Sequence, residues 1–310
     1  MKTPPASVPV AADRIGLAIG SILAAVFLFS IVDATAKWLG QTYEPVQTVF
    51  FVHLFALIPI SLFVWRSGGL SALRTRRPFA HALRGSLFFV AVLLFFTALR
   101  GLPLTEALAV TFTAPLFITA LSGPLLGEAV GVRRWAAVVI GFLGALIMVR
   151  PGTEAFRPEA LLVLTSALTL ALAMLLTRRL TRTETNVALA TYTMVIVGLA
   201  SLPFAILGWQ APGSGDLGLF VLVGIGGGSG AYLVAVAYRN APAAVVAPFE
   251  YTRMIWGSVL GWLLWRESPE PAVWIGAAIV AAAGVYITRR EIALGRSAPE
   301  AATASKTTPG

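Results

Sequence analysis

Residues 237–265 read AYRNAPAAVVAPFEYTRMIWGSVLGWLLW, and residues 98–126 read ALRGLPLTEALAVTFTAPLFITALSGPLL. A constant shift of 139 residues, without a gap, carries Arg100 onto Arg239, Pro103 onto Pro242 and Thr113 onto Thr252. The same register continues downstream, carrying Glu128 onto Glu267, Trp135 onto Trp274 and Arg150 onto Arg289. Apolar letters coincide by chance in any two hydrophobic segments, but rare Trp and Glu residues held in one register do not. The chain therefore reads as an internal duplication, the pattern that membrane carriers leave in their sequences.

Composition places both copies in a bilayer. Of 310 residues, 57% are hydrophobic and 12% charged, where a soluble domain has roughly 45–50% and 25%. Ten apolar runs follow one another: Ile15 to Leu39, Pro45 to Trp65, Phe79 to Arg100, Leu104 to Leu126, Arg133 to Val149, Pro158 to Thr177, Asn186 to Gly208, Leu217 to Tyr238, Ala243 to Trp265 and Ala272 to Thr288. At 1.5 Å per helical residue, a run of about twenty crosses roughly 30 Å of hydrocarbon. The expected class is an all-α integral membrane protein of ten transmembrane helices. Its expected divisions are an N-terminal tail (1–14), two five-helix halves (15–152 and 153–288) and a C-terminal tail (289–310), with no separate soluble domain. Five is odd, so equivalent residues fall on opposite sides of the membrane. Transporters use that inverted arrangement to build alternating access around a central site.

The net charge of +9 does not point to nucleic acid, because Lys and Arg lie between spans rather than on one face. Alternate loops are loaded: Arg66, Arg74, Arg76 and Arg77 after the second span, Arg133 and Arg134 after the fourth, Arg178, Arg179 and Arg182 after the sixth, and Arg289, Arg290, Arg296 and Lys306 after the tenth. The intervening loops hold mainly Arg100, Arg150, Arg157 and Arg266. By the positive-inside rule both termini face the cytoplasm.

Charges inside the spans are the candidate working parts, since each costs about 2.5–3.5 kcal/mol at a helix centre. Glu250 and Arg253 stand three apart in the ninth span, so on one continuous helix they share a face and neutralise each other. They read either as a cavity wall or as a structural lock. Asp33 and Lys37 repeat the device at four-residue spacing in the first span and are candidates for gating or proton transfer. In the third span His81, Arg84, Phe88, Ala91 and Phe95 lie along one stripe, with Arg84 deep enough to face a cavity. His53 is a further substrate or proton candidate, and Glu106 reads as an N-terminal capping carboxylate near Arg100. Pro115 and Pro248 predict two helix kinks, at different heights because the 139-residue shift does not superimpose them. Tyr192, Tyr251, Trp256 and Phe88 offer flat apolar surface for a ring-bearing substrate.

Several chemistries lack their residues. GIGGGSGAY (224–232) does not continue to Gly-Lys-Ser/Thr, so there is no P-loop. Gly227-Gly228-Ser229-Gly230 matches the G-x-S-G of intramembrane serine proteases, but both histidines, His53 and His81, lie upstream of it. With no cysteine and two separated histidines, a zinc site has too few ligands. No enzyme activity, metal or cofactor is expected.

The stretch ALRGLPLTEALAVTFTAPLF, then LLGEAVGVRRWAAVVIGFLGALIMVRPG, and its partner APFEYTR with GWLLWRESP and WIGAAIVAAAGVYI, resemble the two EamA repeats of the drug/metabolite transporter superfamily across nearly the whole chain. The resemblance implies a ten-helix carrier with a central cavity and no ATPase. In size and layout the chain is similar to YddG-type aromatic amino-acid exporters, and also to flavin and S-adenosylmethionine carriers. The expectation is a facilitative exporter of amino acids, aromatic ones included, in the bacterial cytoplasmic membrane. Its partners are then a small-molecule substrate and lipid, and a monomer is compatible with it. The alternative is a carrier of riboflavin or S-adenosylmethionine, with or without proton coupling.

Overall fold

The computed structural model describes residues 12–127, 130–181, 183–241 and 243–304. Glu128 and Pro242 of the repeat, Arg182 and Lys306 of the loaded loops, and the first eleven residues lie outside the described residues. Twelve α-helices follow in order: α1 Ala12–Leu39, α2 Pro45–Arg66, α3 Pro78–Ala98, α4 Leu104–Thr111, α5 Ala114–Leu126, α6 Val132–Val149, α7 Glu159–Leu180, α8 Asn186–Leu207, α9 Ser214–Asn240, α10 Ala243–Glu250, α11 Arg253–Trp265 and α12 Pro271–Ala304. No strand occurs among the described residues. Nine segments among them are long and apolar enough to cross a membrane, α4 and α5 counting as one. The tenth run expected from the sequence is α10 with α11, which is not among the nine. The last helix continues to Ala304, past Thr288, where the sequence places a tail.

Both broken spans break at one place in the repeat. The first is interrupted at Phe112-Thr113 and the second at Tyr251-Thr252, and a shift of 139 carries one pair onto the other. The sequence expectation of kinks at different heights is therefore corrected. Pro115 is the second residue of α5 and Pro248 lies inside α10, so the two prolines flank equivalent breaks from opposite sides. Pro115 has no N–H to bond back across the first break, and Pro248 removes a bond from the turn just before the second, so each proline weakens the helix on its own side of the break. Even the far ends correspond: α5 closes on Gly127 at φ 71 and α11 on Arg266 at φ 58, each left-handed.

Phe112 and Tyr251, equivalent residues, meet edge to face with ring centroids 4.8 Å apart. The two broken spans thus cross at their breaks, and each crossing half behaves differently. On one side α4 packs against α11: Leu108 fills the space that a side chain on Gly257 would need, and Thr105 donates to Ser258 at 3.3 Å. On the other side α5 and α10 diverge around a cavity. Gly257→Val is expected to cost about 1–3 kcal/mol by overpacking this contact, seen as a lower thermal midpoint. An unshifted midpoint would show that α4 and α11 are not held together.

The glycine-rich run of α9 serves packing. Gly224 and Gly228 face Phe55, Ala56 and Pro59 of α2, while Gly226 and Gly230 face Val32 and Phe29 of α1. A Cβ at Gly224, Gly228 or Gly230 would collide, so α9 is wedged between its neighbours by having none, as small residues permit between membrane helices.

Candidate functional site

A cavity of about 830 Å³ opens between the two broken spans, within the usual range of roughly 300–1,000 Å³ for small-molecule sites. Its floor is the helix crossing, with Phe112 and Tyr251 both in the lining. Its walls come from both repeats: Phe29 of α1, Arg84 and Phe88 of α3, Pro115 of α5, Met174 and Thr177 of α7, Met194 of α8, Tyr238 of α9, and Pro248, Glu250 and Arg253 at the second break. Thr181, Asn186 and Arg289 line it towards the arginine-rich end.

The break explains the two charges of the ninth span. Glu250 is the last residue of α10 and Arg253 the first of α11, so no continuous turn brings them together. Each also has the wrong sign for its own helix end, an anion at a C-terminus and a cation at an N-terminus. The expected mutual pairing is replaced by partners on other spans. Arg253 donates to Asp33 of α1, with Nε 3.0 Å from Oδ2 and Nη2 as a second donor, and its guanidinium carbon lies 5.6 Å from the Phe29 ring centroid. Glu250, exposed to the cavity, accepts from the Tyr238 hydroxyl at 2.6 Å.

The opposite end is closed. Lys37, pointing away from Asp33, pairs with Glu267 and donates to the Leu102 carbonyl at 2.7 Å. The other Glu267 oxygen accepts the Leu104 N–H at 2.8 Å, capping the positive end of α4. Glu106 does not meet Arg100, which instead bonds Glu44 at 3.3 Å and the Gly40 carbonyl at 2.8 Å. Arg150 bonds Glu270 and holds that carboxyl below the usual range. This latch persists above the ordinary Glu value of about 4.3 and is lost only as pH falls through the lowered one.

Three further candidates lie off the cavity lining. Trp256 is 37% exposed and meets Phe27 edge to face at 4.8 Å; the break turns α11 so that this ring faces outward. Tyr192 donates to the Leu73 carbonyl at 3.0 Å and lies against His81 in a tilted ring contact, fastening α8 to the loop before α3. His53 is buried with Nδ1 2.8 Å from the Val49 carbonyl of its own helix. Conversely, the sequence does not mark Tyr238 or Glu267 as site residues. Glu267 carries a signal, its register match to Glu128, whereas Tyr238 stands twelve residues from Glu250 and carries none.

A duplicated helical membrane protein with a cavity open at one end and sealed at the other is a carrier in architecture. The chain belongs to the EamA-like transporter family, whose sequence profile matches residues 16–150 and 157–289. It is 30% identical over 262 residues to a protein of Rickettsia prowazekii named as an S-adenosylmethionine uptake transporter, covering 84% of this chain and 89% of that one. It is 31% identical over 267 residues to a riboflavin transporter of Rhizobium johnstonii, covering 85% and 88%. A solved crystal structure superimposes with TM-score 0.60 over 90% of this chain and 98% of that chain at 20% identity, which bears on the fold alone.

Proposed function

We infer that this transporter takes up, across the bacterial cytoplasmic membrane, a solute of the S-adenosylmethionine type: an organic cation that also carries a carboxylate and a ring system. The carrying observation is Glu250. It is an anion on the cavity wall whose hydrogen-bond partner is a phenol rather than a cation, and the cation three residues on, Arg253, is ion-paired with Asp33, so Glu250 offers a carboxylate to a cation that enters. Riboflavin offers no positive charge to it. Phe29, Phe88, Phe112 and Tyr251 supply apolar surface for the ring. The amino-acid exporter expected from the sequence gives way here, because neither relative described above is named for it and the cavity is large for a single amino acid.

The reading takes the arginine-rich end as cytoplasmic, with both termini there, so the conformer is open inward. Alternating access then has a stated geometry. The repeat shift carries the outer contact of Leu108 and Gly257 onto Ala247 and Ile118, both beside the cavity; drawing these together while α4 and α11 part gives the outward-open form.

Proteoliposomes without an ion gradient test this with labelled S-adenosylmethionine, riboflavin, tryptophan, phenylalanine and methionine. Saturable equilibration of the sulfonium compound is expected, and Glu250→Gln should reduce its kcat/KM by about 10- to 100-fold, the worth of a charged hydrogen bond. Flux of riboflavin alone, or of an amino acid alone, would overturn the reading.

A further inference from the structure

The cations within the spans divide into two kinds. Arg253 has Asp33 and Lys37 has Glu267, whereas Arg84 forms no ion pair among the described residues. Yet Arg84 is 3% exposed and lines the cavity. Its Nη2 donates to the Leu189 carbonyl at 2.5 Å and its Nη1 reaches the Thr177 hydroxyl at 3.5 Å. Its Nε has no hydrogen-bond partner. The carboxylate of Glu184 lies instead on His81, at 3.4 Å, one turn before Arg84 in α3. The guanidinium carbon lies 5.7 Å from the Phe88 ring centroid, which fixes the plane of the fork.

An uncompensated guanidinium out of water is among the costlier arrangements in a protein. Neutral carbonyl and hydroxyl acceptors orient the group without cancelling its charge. A carboxylate arriving in the cavity would cancel that charge, and a planar fork matches a carboxylate where a lysine would not. We propose that Arg84, oriented by Leu189, Thr177 and Phe88, is the carboxylate-recognition subsite of this carrier and determines its preference for carboxylated over uncarboxylated sulfonium solutes. This rests on the function proposed above and adds a second pole: Glu250 for the cation, Arg84 for the carboxylate.

The test compares kcat/KM in proteoliposomes for S-adenosylmethionine and for its decarboxylated analogue, which keeps the sulfonium and the ring. The wild type should prefer the carboxylated compound about 10- to 100-fold, and Arg84→Gln should bring the ratio close to one. Arg84→Lys, which retains the charge and with it the fold, should lower the ratio severalfold by losing the fork. A wild-type ratio near one overturns the subsite, as does an unchanged ratio in either variant. Equal losses for both compounds assign Arg84 a merely structural role and overturn it too. If the wild type moves neither sulfonium compound, the parent reading falls and this one with it, an outcome distinct from the others.

Discussion

Asp33→Ala is expected to destabilise the protein by about 3–5 kcal/mol, the usual consequence of removing one partner from a buried charge pair. Asp33 is 3% exposed on α1 and accepts both donors of Arg253 at the first turn of α11. Two separate penalties meet when it is lost. A guanidinium loses its hydrogen-bonded counter-charge in a wall of low polarity, and it stands at a helix N-terminus, where the backbone already presents positive partial charge. The check is the thermal midpoint of purified protein, together with the double variant Asp33→Leu/Arg253→Met. The apolar double should be less damaging than the single, because it removes both ions instead of orphaning one. A single variant within about 1 kcal/mol of the wild type would mean that water reaches Arg253 well enough to replace Asp33.

Glu267→Ala should have an effect of similar size, but on conformation. One carboxylate holds Lys37 of α1 and the first amide of α4, and so ties α1, α4 and the end of α11 into the closed end of the bundle, the outer one in the orientation proposed above. Lys37 is 7% exposed, so its loss of partner costs about 3–5 kcal/mol in this conformer. A shift of about 4 kcal/mol changes a population ratio by roughly a thousandfold. The outward-open form, in which Lys37 can reach water, then gains. The chain contains no cysteine, which makes labelling direct: Thr105→Cys, 1% exposed between α4 and α11, should react slowly with a membrane-impermeant maleimide in an otherwise native chain and rapidly beside Glu267→Ala. Equal rates would show that the pair does not keep the outer face shut.

Legibility followed the range of the forces involved. Hydropathy located the spans because transfer into hydrocarbon acts on each segment separately. The register of 139 residues identified the duplication, and from it the inverted architecture. Charge in loops gave an orientation for the same reason, each loop being read alone. The candidates that ended on the cavity, Arg84, Phe88, Glu250, Tyr251 and Arg253, were found because a charge or an aromatic in a span is costly or conspicuous wherever it points.

The pairings were a different matter. Sequence spacing joined Glu250 to Arg253 and Asp33 to Lys37, both sound on unbroken helices. The tertiary structure instead joined Asp33 to Arg253 and Lys37 to Glu267, and gave Glu250 a phenol. Helical spacing governs partners only where the helix continues, and the break at Tyr251-Thr252 ends it there. Partners some 220 residues apart are chosen by which spans pack together, a property of the whole bundle and of no local segment. The sequence by itself determined the membrane, the duplication and the family. Only the folded chain decided which charge is left unmatched beside the cavity, because that depends on which of the others have already found each other.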